Sequence, residues 1–199
     1  MKLQIIVIFF FLGVMLYPVT IFAEVNFLAM GDSPYSDEGF YLIEKEFKNI
    51  SDGGKFLVHL GDIKPKRKKC EEKTYRDVKE LFRQSPLPMV MIPGDNDYDG
   101  CENKSEAKKF WDRHLSEFEK HWKLDFEFIR QKGQRENFAF FLETTLFIGI
   151  NFFEKGDRDT SNFNEIMKNN IFWITENLKK HQVKHLIVFA HDFSGIRSE

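Results

Sequence analysis

Three aspartates recur along the chain at nearly regular intervals, each directly after a glycine that ends a short apolar run. They are Asp32, Asp62 and Asp95. Carboxylates that converge repel each other unless a cation lies among them, and divalent metals readily take oxygen ligands. An imidazole at His191 follows a further apolar run at residues 186–190. These four side chains are therefore the predicted ligands of a divalent-metal site.

The spacing of the aspartates predicts how the fold would bring them together. The intervals of 30 and 33 residues match the length of a strand, a crossover helix and the next strand. Such units place the carboxyl ends of parallel strands at one sheet edge, where open α/β sheets bind ligands. Residues 56–60, apolar on both faces, are the predicted central strand. Gly-Asp alone is a common turn dipeptide, so the repetition after apolar runs carries the prediction.

The rest of the chain shows helix and strand patterns consistent with an α/β fold. The predicted further elements are helices around residues 36–47, 75–82, 104–121 and 171–178, a hairpin of residues 137–142 and 146–151, and a last strand at residues 184–190. The predicted helix at 104–121 carries His114 and His121, which are interpreted as helix-surface residues. A chain of 199 residues with 42% hydrophobic and 16% aromatic content can bury one core, so one domain is predicted.

The N-terminus has Lys2 followed by an uncharged run at residues 3–23. This pattern predicts a secretory signal peptide at residues 1–23, cleaved after Ala23, and a mature domain at residues 24–199 that is periplasmic or extracellular. The alternative is an uncleaved membrane anchor formed by residues 3–23, because the run is close to the roughly 20 residues that span a bilayer. The first predicted strand begins at Val25, which leaves no tether and favours cleavage.

Export would allow Cys70 and Cys101 to form a disulfide, since an oxidising compartment lets thiols pair. Both cysteines follow a Gly-Asp motif by a few residues, in loops at the same predicted sheet edge. Two unpaired buried cysteines are the alternative.

Charge and loop residues suggest what the site would bind. The formal net charge of −2 excludes a strongly basic nucleic-acid binder, and no specific nucleic-acid site is predicted. A basic run at residues 64–69 is interpreted as a solvated loop or, alternatively, as a surface that attracts an anionic substrate. Lys64 in this run, Tyr35, and Asn151 at the end of the hairpin are the candidate substrate-binding residues, with a strand-terminal turn as the alternative for Asn151.

The ordered motifs resemble those of the calcineurin-like metallophosphoesterases. The matching pieces are Gly31-Asp32, Gly61-Asp62, Gly94-Asp95-Asn96-Asp97 and His191, and the resemblance covers about residues 25–195. More narrowly, residues 31–35 and 93–101 are similar to an exported bacterial branch that reads Gly-Asp-Thr/Ser-Pro-Tyr and Pro-Gly-Asp-Asn-Glu-Trp-x-x-Cys. The resemblance implies an α/β fold of the α-β-β-α sandwich type, with mixed sheets flanked by helices.

By this resemblance, Asp62 would bridge two metal ions, Asp32 would ligate one, and Asp95 with His191 the other. The candidate catalytic residues are Asn96, at the place of the motif's catalytic histidine, and Asp97 beside it. Asn96 can hydrogen-bond a phosphate but cannot donate a proton to a leaving group. The family's Gly-His-x-His motif has no counterpart, so we expect a domain that is incomplete at its C-terminus and binds metal weakly.

Two functions follow as expectations. The first is a secreted phosphoesterase that uses up to two divalent ions, Mn, Fe, Zn or Mg, to activate water against a phosphorylated small molecule or nucleotide. The second is a non-catalytic secreted module of the same fold that binds a metal or an anion.

Overall fold

The computed structural model describes residues 25–50, 54–98, 100–151 and 160–191, without the side chains of residues 160–163. The elements in chain order are β1 (Leu28–Met30), α1 (Asp37–Asn49), β2 (Leu57–His59), α2 (Glu72–Phe82), β3 (Met89–Met91), α3 (Lys104–His114), a 3-10 helix (Phe118–His121), β4 (Phe128–Gln131), β5 (Gln134–Leu142), β6 (Thr145–Gly149), α4 (Thr160–Lys180) and β7 (His185–Phe189). The predicted signal peptide or anchor at residues 1–23 lies outside the described residues.

The first sheet is the predicted parallel sheet, with strand order β1-β2-β3. Ala29 lies opposite Val58, and Val58 lies opposite Val90. The central position of β2 and the parallel pairing confirm the arrangement predicted from the aspartate spacing. All three strands therefore end at the same edge.

The second sheet has the strand order β4-β5-β6-β7. Its first three strands are antiparallel, and β7 pairs with β6 in parallel. The predicted hairpin of β5 and β6 is confirmed, with Glu143 in a left-handed conformation (φ 55°) at its turn. Strand β4 was not predicted, although alternating Phe126, Phe128 and Arg130 before the Lys132-Gly133 turn are typical of a strand.

Successive residues of a strand point to opposite faces, and this alternation builds three apolar layers. Between the two sheets, Phe56 packs edge-on against Phe140 and Phe147, with ring centroids 4.9 and 5.1 Å apart. On the other face of the first sheet, Leu57 joins a cluster with the helical residues Phe82 and Trp111. Helix α4 covers the outer face of the second sheet. The chain is thus an α/β protein with two sheets facing each other between helices.

The predicted helix at residues 104–121 is shorter in the structure. Helix α3 ends at His114, and Glu117 adopts a left-handed conformation (φ 53°) before the short 3-10 helix. A left-handed residue cannot continue a right-handed helix. Consequently His114 and His121 do not share one helix; His114 contacts Glu72 of α2 (2.9 Å).

Among the described residues, no helix is long and apolar enough to cross a membrane.

Candidate metal centre

The three predicted aspartates lie in the loops that follow β1, β2 and β3. The last residues of these strands, Met30, His59 and Met91, are neighbours in register, so the loops start side by side. A backbone hydrogen bond from Asp32 N to the Gly61 carbonyl oxygen (2.9 Å) joins the first loop to the second.

Two of these aspartates adopt backbone conformations that non-glycine residues rarely use. Asp32 has φ 52° and Asp62 has φ 59°, both in the left-handed region. Such conformations cost of order 1–3 kcal/mol and cluster at functional sites. Gly61, immediately before Asp62, has φ 92°, and a Cβ there would lie 2.2 Å from the backbone nitrogen of Gly94. The second and third loops therefore touch through their backbones.

Three predicted ligands form a compact group. One ligand atom from each of Asp62, Asp95 and His191 lies within 4.8 Å of the others. The Nε2 atom of His191 is 3.5 Å from Asp62 Oδ1 and 3.6 Å from Asp95 Oδ1. These are spacings that a single bound cation can bridge.

His191 is oriented by the loop after β2, which carries Asp62. Its Nδ1 lies 2.7 Å from the carbonyl oxygen of Leu60, so Nδ1–H donates and Nε2 is directed at the carboxylates. Histidine ligands are commonly fixed through the second ring nitrogen in this way. Burial lowers the pKa of His191, but the Leu60 carbonyl and the Asp62 carboxylate raise it, with a net rise. The site therefore favours positive charge at this position.

The donor set fits a divalent cation. Two carboxylates and one imidazole admit Mn, Fe, Zn or Mg. Asn96 adds a further oxygen, because its Oδ1 atom is buried and has no hydrogen-bond partner among the described residues. The Nδ2 atom of Asn96 donates a hydrogen bond to Asp62 Oδ2. The backbone N–H of Asn96 donates to Asp62 Oδ1 (3.0 Å). Hard cations accept amide carbonyl oxygens as ligands.

Asp32 is not part of the compact group. It is exposed and accepts a hydrogen bond from the Tyr35 hydroxyl at Oδ1 (2.8 Å). The same hydroxyl lies 3.4 Å from Asp62 Oδ2, so Tyr35 connects the two carboxylates. Burial, the hydrogen bond to Asp32 and the charge of Asp62 raise the pKa of Tyr35, which keeps the phenol protonated as a donor.

Asp97, a candidate catalytic residue, binds backbone groups of two loops with both carboxylate oxygens. It is fully buried, and its Oδ2 accepts from the backbone N–H groups of Asp62 (2.9 Å) and Gly94 (2.6 Å), while Oδ1 accepts from Ile63 (2.8 Å). Burial raises its pKa to about 7, although these donors oppose the rise. With both oxygens occupied by backbone donors, Asp97 holds two loops together.

Lys64 also differs from the expectation of a solvated loop or a substrate contact. Its side chain is completely buried (0% exposed), and its neighbours Asp62 and Ile63 are also buried. Residues 66–69 of the same basic run are exposed. In this conformation Lys64 is not accessible to a dissolved substrate.

His59 is not among the predicted site residues, because it lies at the end of an otherwise apolar strand, β2. It is fully buried; its Nδ1 accepts from Gly61 N–H (3.1 Å), and its Nε2 lies 2.8 Å from the Ser33 carbonyl oxygen. The ring is therefore the neutral Nε2–H tautomer. Burial lowers its pKa to about 4. A histidine within an otherwise apolar strand next to a Gly-Asp motif was the available signal.

Asn151 follows β6 and is hydrogen-bonded to side chains of the described residues. Its backbone N–H donates to Asn137 Oδ1 (2.6 Å), and its Nδ2 donates to the Tyr98 hydroxyl (2.9 Å). Asn137 is itself buried and donates to Gln131 (2.7 Å) and Asn170 (2.8 Å). This buried amide network, which the sequence did not predict, positions Asn151 from the second sheet.

The predicted disulfide between Cys70 and Cys101 is present. It ties the loop after β2 to the loop after β3, which carry Asp62 and Asp95. The Tyr75 hydroxyl donates to the Asp97 carbonyl oxygen (2.5 Å) in the same region. The two loops are thus linked covalently as well as through Asp97.

No protein-family model matches the chain, and no curated protein matches it. Among solved structures, the crystal structure of the protein of unknown function AQ665 from Aquifex aeolicus matches with 13% identity and a TM-score of 0.33. The match covers 84% of this chain and 90% of that chain. A likeness at this TM-score carries no inference about function.

Proposed function

We propose that this chain is an exported, metal-dependent phosphoesterase with the sandwich fold of the calcineurin-like metallophosphoesterases. The observation that carries the proposal is the convergence of Asp62, Asp95 and His191 within 4.8 Å at the carboxyl edge of a parallel sheet. Ligands bind at this edge in open α/β sheets. The disulfide is consistent with an exported protein.

Asp62, Asp95 and His191 would hold a divalent cation, and Asn96 Oδ1 is available beside them. When bound, such a cation activates water and neutralises charge on phosphate oxygens during an in-line displacement. Asn96 orients Asp62 through two donated hydrogen bonds. The exposed Tyr35 is positioned at the same carboxylates, where its phenol can donate a hydrogen bond to a phosphate oxygen.

The substrate preference follows from the absence of a proton donor at Asn96. An amide cannot protonate a departing alkoxide. We therefore expect esters with good leaving groups, such as aryl phosphates, to be hydrolysed much faster than alkyl phosphates. The natural substrate class is a phosphorylated small molecule or nucleotide.

A second candidate function is a non-catalytic module that binds a metal or an anion. The observation that favours it is the engagement of Asn96 Nδ2 with Asp62, which leaves the place of the family's catalytic histidine without an acid. In this case the site would bind a divalent ion but would not turn over esters.

The test is steady-state hydrolysis of p-nitrophenyl phosphate with added Mn²⁺ or Zn²⁺. We expect metal-dependent turnover, and we expect Asp62→Asn to lower kcat/KM on the order of 10²-fold or more, since loss of groups that support a metal costs at least this much. Asp77→Asn makes the same chemical change at the surface pair with Lys73 and should have wild-type activity.

The outcomes separate the two functions. Turnover that is equal in Asp62→Asn and wild type would mean that a contaminant or another site performs the reaction. Metal binding without turnover would favour the non-catalytic module.

A further inference from the structure

Four consecutive cations, all exposed, lie in the loop that follows Asp62. They are Lys66, Arg67, Lys68 and Lys69, which we call the basic loop. Although the aspartates of the candidate centre lie at the same sheet edge, no side chain of the basic loop forms a salt bridge or a hydrogen bond with a residue that the structure describes. Lysines elsewhere do pair, as Lys73 does with Asp77. The four positive charges are therefore available to an anion from solution.

The basic loop is held at both ends. At its start, the backbone N–H of Lys68 donates to the Pro65 carbonyl oxygen (3.0 Å), which closes a turn that begins three residues after Asp62. Directly after the loop, Cys70 is bonded to Cys101, and the two Cα atoms are 5.9 Å apart. The loop is thus attached to the two loops that carry Asp62 and Asp95.

The end of the basic loop lies near Asn96, the residue at the place of the family's catalytic histidine. The Cα atom of Lys69 is within about 10 Å of the Cα atom of Cys101, because adjacent Cα atoms are about 3.8 Å apart. The Sγ atom of Cys101 lies 4.0 Å from the carbonyl oxygen of Asn96. Asn96 in turn donates two hydrogen bonds to Asp62. An anion bound to the basic loop would therefore be close to a phosphate bound at the metal centre.

Asn96 restricts the leaving groups that this centre can expel. An amide cannot protonate a departing oxygen, so the leaving group has to be stable as an anion at neutral pH. A phosphate meets this condition, because it takes up its second proton only at about pH 6. Basic side chains also stabilise the charge that develops on phosphate groups in a transition state. Asn96 and the basic loop therefore favour the same kind of bond, one between two phosphates.

We propose that the basic loop binds a second phosphate of the substrate, and that the preferred substrates are phosphoanhydrides such as nucleoside diphosphates and triphosphates. Water adds to the attacked phosphorus, the bridging P–O bond breaks with its electron pair on the second phosphate, and the proton that the water loses passes to solvent. The basic loop holds the departing phosphate. This inference rests on the proposed phosphoesterase, whose substrate class it narrows.

The first test measures binding without turnover, by calorimetry in the presence of Mn²⁺. The probes are methylphosphonate and methylenediphosphonate, which differ by one phosphonate group and which the protein cannot hydrolyse. Wild type should bind the diphosphonate about tenfold more tightly than the monophosphonate. Lys68→Gln/Lys69→Gln should remove most of this difference, because two exposed ion pairs contribute about this factor.

Lys55→Gln/Lys184→Gln is the matched control for net charge. It also removes two exposed lysines, but these precede β2 and β7, at the ends of the strands away from the candidate centre. Its affinity for both probes should equal that of wild type.

The second test measures hydrolysis with Mn²⁺. Wild type should hydrolyse ATP with a higher kcat/KM than p-nitrophenyl phosphate, which has a single phosphate. Lys68→Gln/Lys69→Gln should lower the ratio of the two kcat/KM values about tenfold, and the control variant should keep the wild-type ratio.

Each failure has a different meaning. If Lys68→Gln/Lys69→Gln kept the wild-type affinity for methylenediphosphonate and the wild-type ratio of kcat/KM values, or if the control variant lost as much, the role of the basic loop would be overturned and the phosphoesterase would stand. If the basic loop bound the diphosphonate but neither ATP nor p-nitrophenyl phosphate was hydrolysed, the phosphoesterase and its anhydride substrate would be overturned, and the anion-binding loop would stand.

Discussion

At the scale of single residues, the candidate centre depends on buried polar groups outside the compact ligand group. His59 links the loop after β1 to the loop after β2 through Ser33 and Gly61. Asp97 links the loops after β2 and β3 by accepting three backbone N–H groups. Because unsatisfied backbone donors are costly when buried, these two side chains stabilise the strained conformations that present Asp32 and Asp62.

His59 should make the stability of the metal-free protein depend on pH. Its folded-state pKa of about 4 lies below the ordinary value of 6.5, so between these values the unfolded chain binds a proton that the folded chain does not. Its contribution to stability is therefore present above pH 6.5 and is lost as pH falls towards 4. Between pH 7 and pH 4.5 the expected loss is about 2 kcal/mol.

The measurement is urea unfolding of wild type and His59→Gln, with chelator, at pH 7 and pH 4.5. Gln does not titrate but can still donate to the Ser33 carbonyl. Asp97, whose raised pKa acts in the opposite direction, titrates in both proteins, and the comparison of the two removes its effect. Parallel pH profiles for the two proteins would contradict the neutral, buried state of His59.

At the scale of elements, the candidate centre is built on β1, β2 and β3, each followed by a loop that carries an aspartate. The loops after β2 and β3 approach so closely that the three atoms nearest to a Cβ on Gly61 would be backbone atoms, the closest being Gly94 N at 2.2 Å. Backbone atoms cannot rotate away as a side chain can. The glycine is therefore required for the approach as well as for the positive φ.

We expect Gly61→Ala to be far more destabilising than Gly133→Ala. Both glycines have positive φ, 92° and 85°, but nothing lies within 4 Å of a Cβ at Gly133. Gly133→Ala should cost only the left-handed conformation of about 1–2 kcal/mol. Gly61→Ala adds the steric clash and should lower the free energy of unfolding by more than about 4 kcal/mol, as measured by urea unfolding. Equal costs would show that the loops can separate without penalty.

The disulfide should stabilise the same pair of loops. Cys70 and Cys101 are separated by 31 residues, and a bridge of this span contributes about 3–4 kcal/mol in the chain-entropy model. The double variant Cys70→Ser/Cys101→Ser should lose this stability in urea unfolding, and wild type should lose the same amount when it is reduced. A reducing agent that has no effect on wild type would mean that the bridge is not formed in the purified protein.

At the scale of the whole molecule, two sheets share an aromatic core, and the described structure leaves some strand edges open. Strands β1 and β7 each pair with one strand only among the described elements. Leu28 on β1 and Leu186 on β7 are each 41% exposed. Open edges with apolar side chains favour association between copies, and charged residues on edges suppress it.

We expect purified residues 24–199 to associate, and Leu28→Lys/Leu186→Lys to shift the protein towards monomer. The measurement is light scattering across a concentration series. Tyr41→Lys is the control, because Tyr41 is 64% exposed on helix α1 and not on a strand edge. If the helix variant reduced association as much as the edge variant, net charge would be the cause.

Much of this fold could be predicted from the sequence, because the signals are local. Apolar runs that end in Gly-Asp marked β1, β2 and β3, and their spacing predicted a parallel sheet with all three carboxylates at one edge. The β5–β6 hairpin, the last strand and the Cys70–Cys101 bridge were also predicted correctly. Strand β4 was missed although the alternating pattern before the Lys132-Gly133 turn was available. The early end of α3 was missed because the left-handed Glu117 has no sequence signature.

Only the tertiary structure decided which of these residues meet and in what environment. His191 is oriented by the carbonyl group of Leu60, 131 residues away in the chain, and Asp97 accepts from backbone groups 34 and 35 residues away. Periodicity and motif spacing describe the chain near each residue and contain no information on such distant partners. For the same reason the basic run at residues 64–69 could be recognised in the sequence, but the burial of Lys64 within it depends on how the loops after β2 and β3 pack against each other.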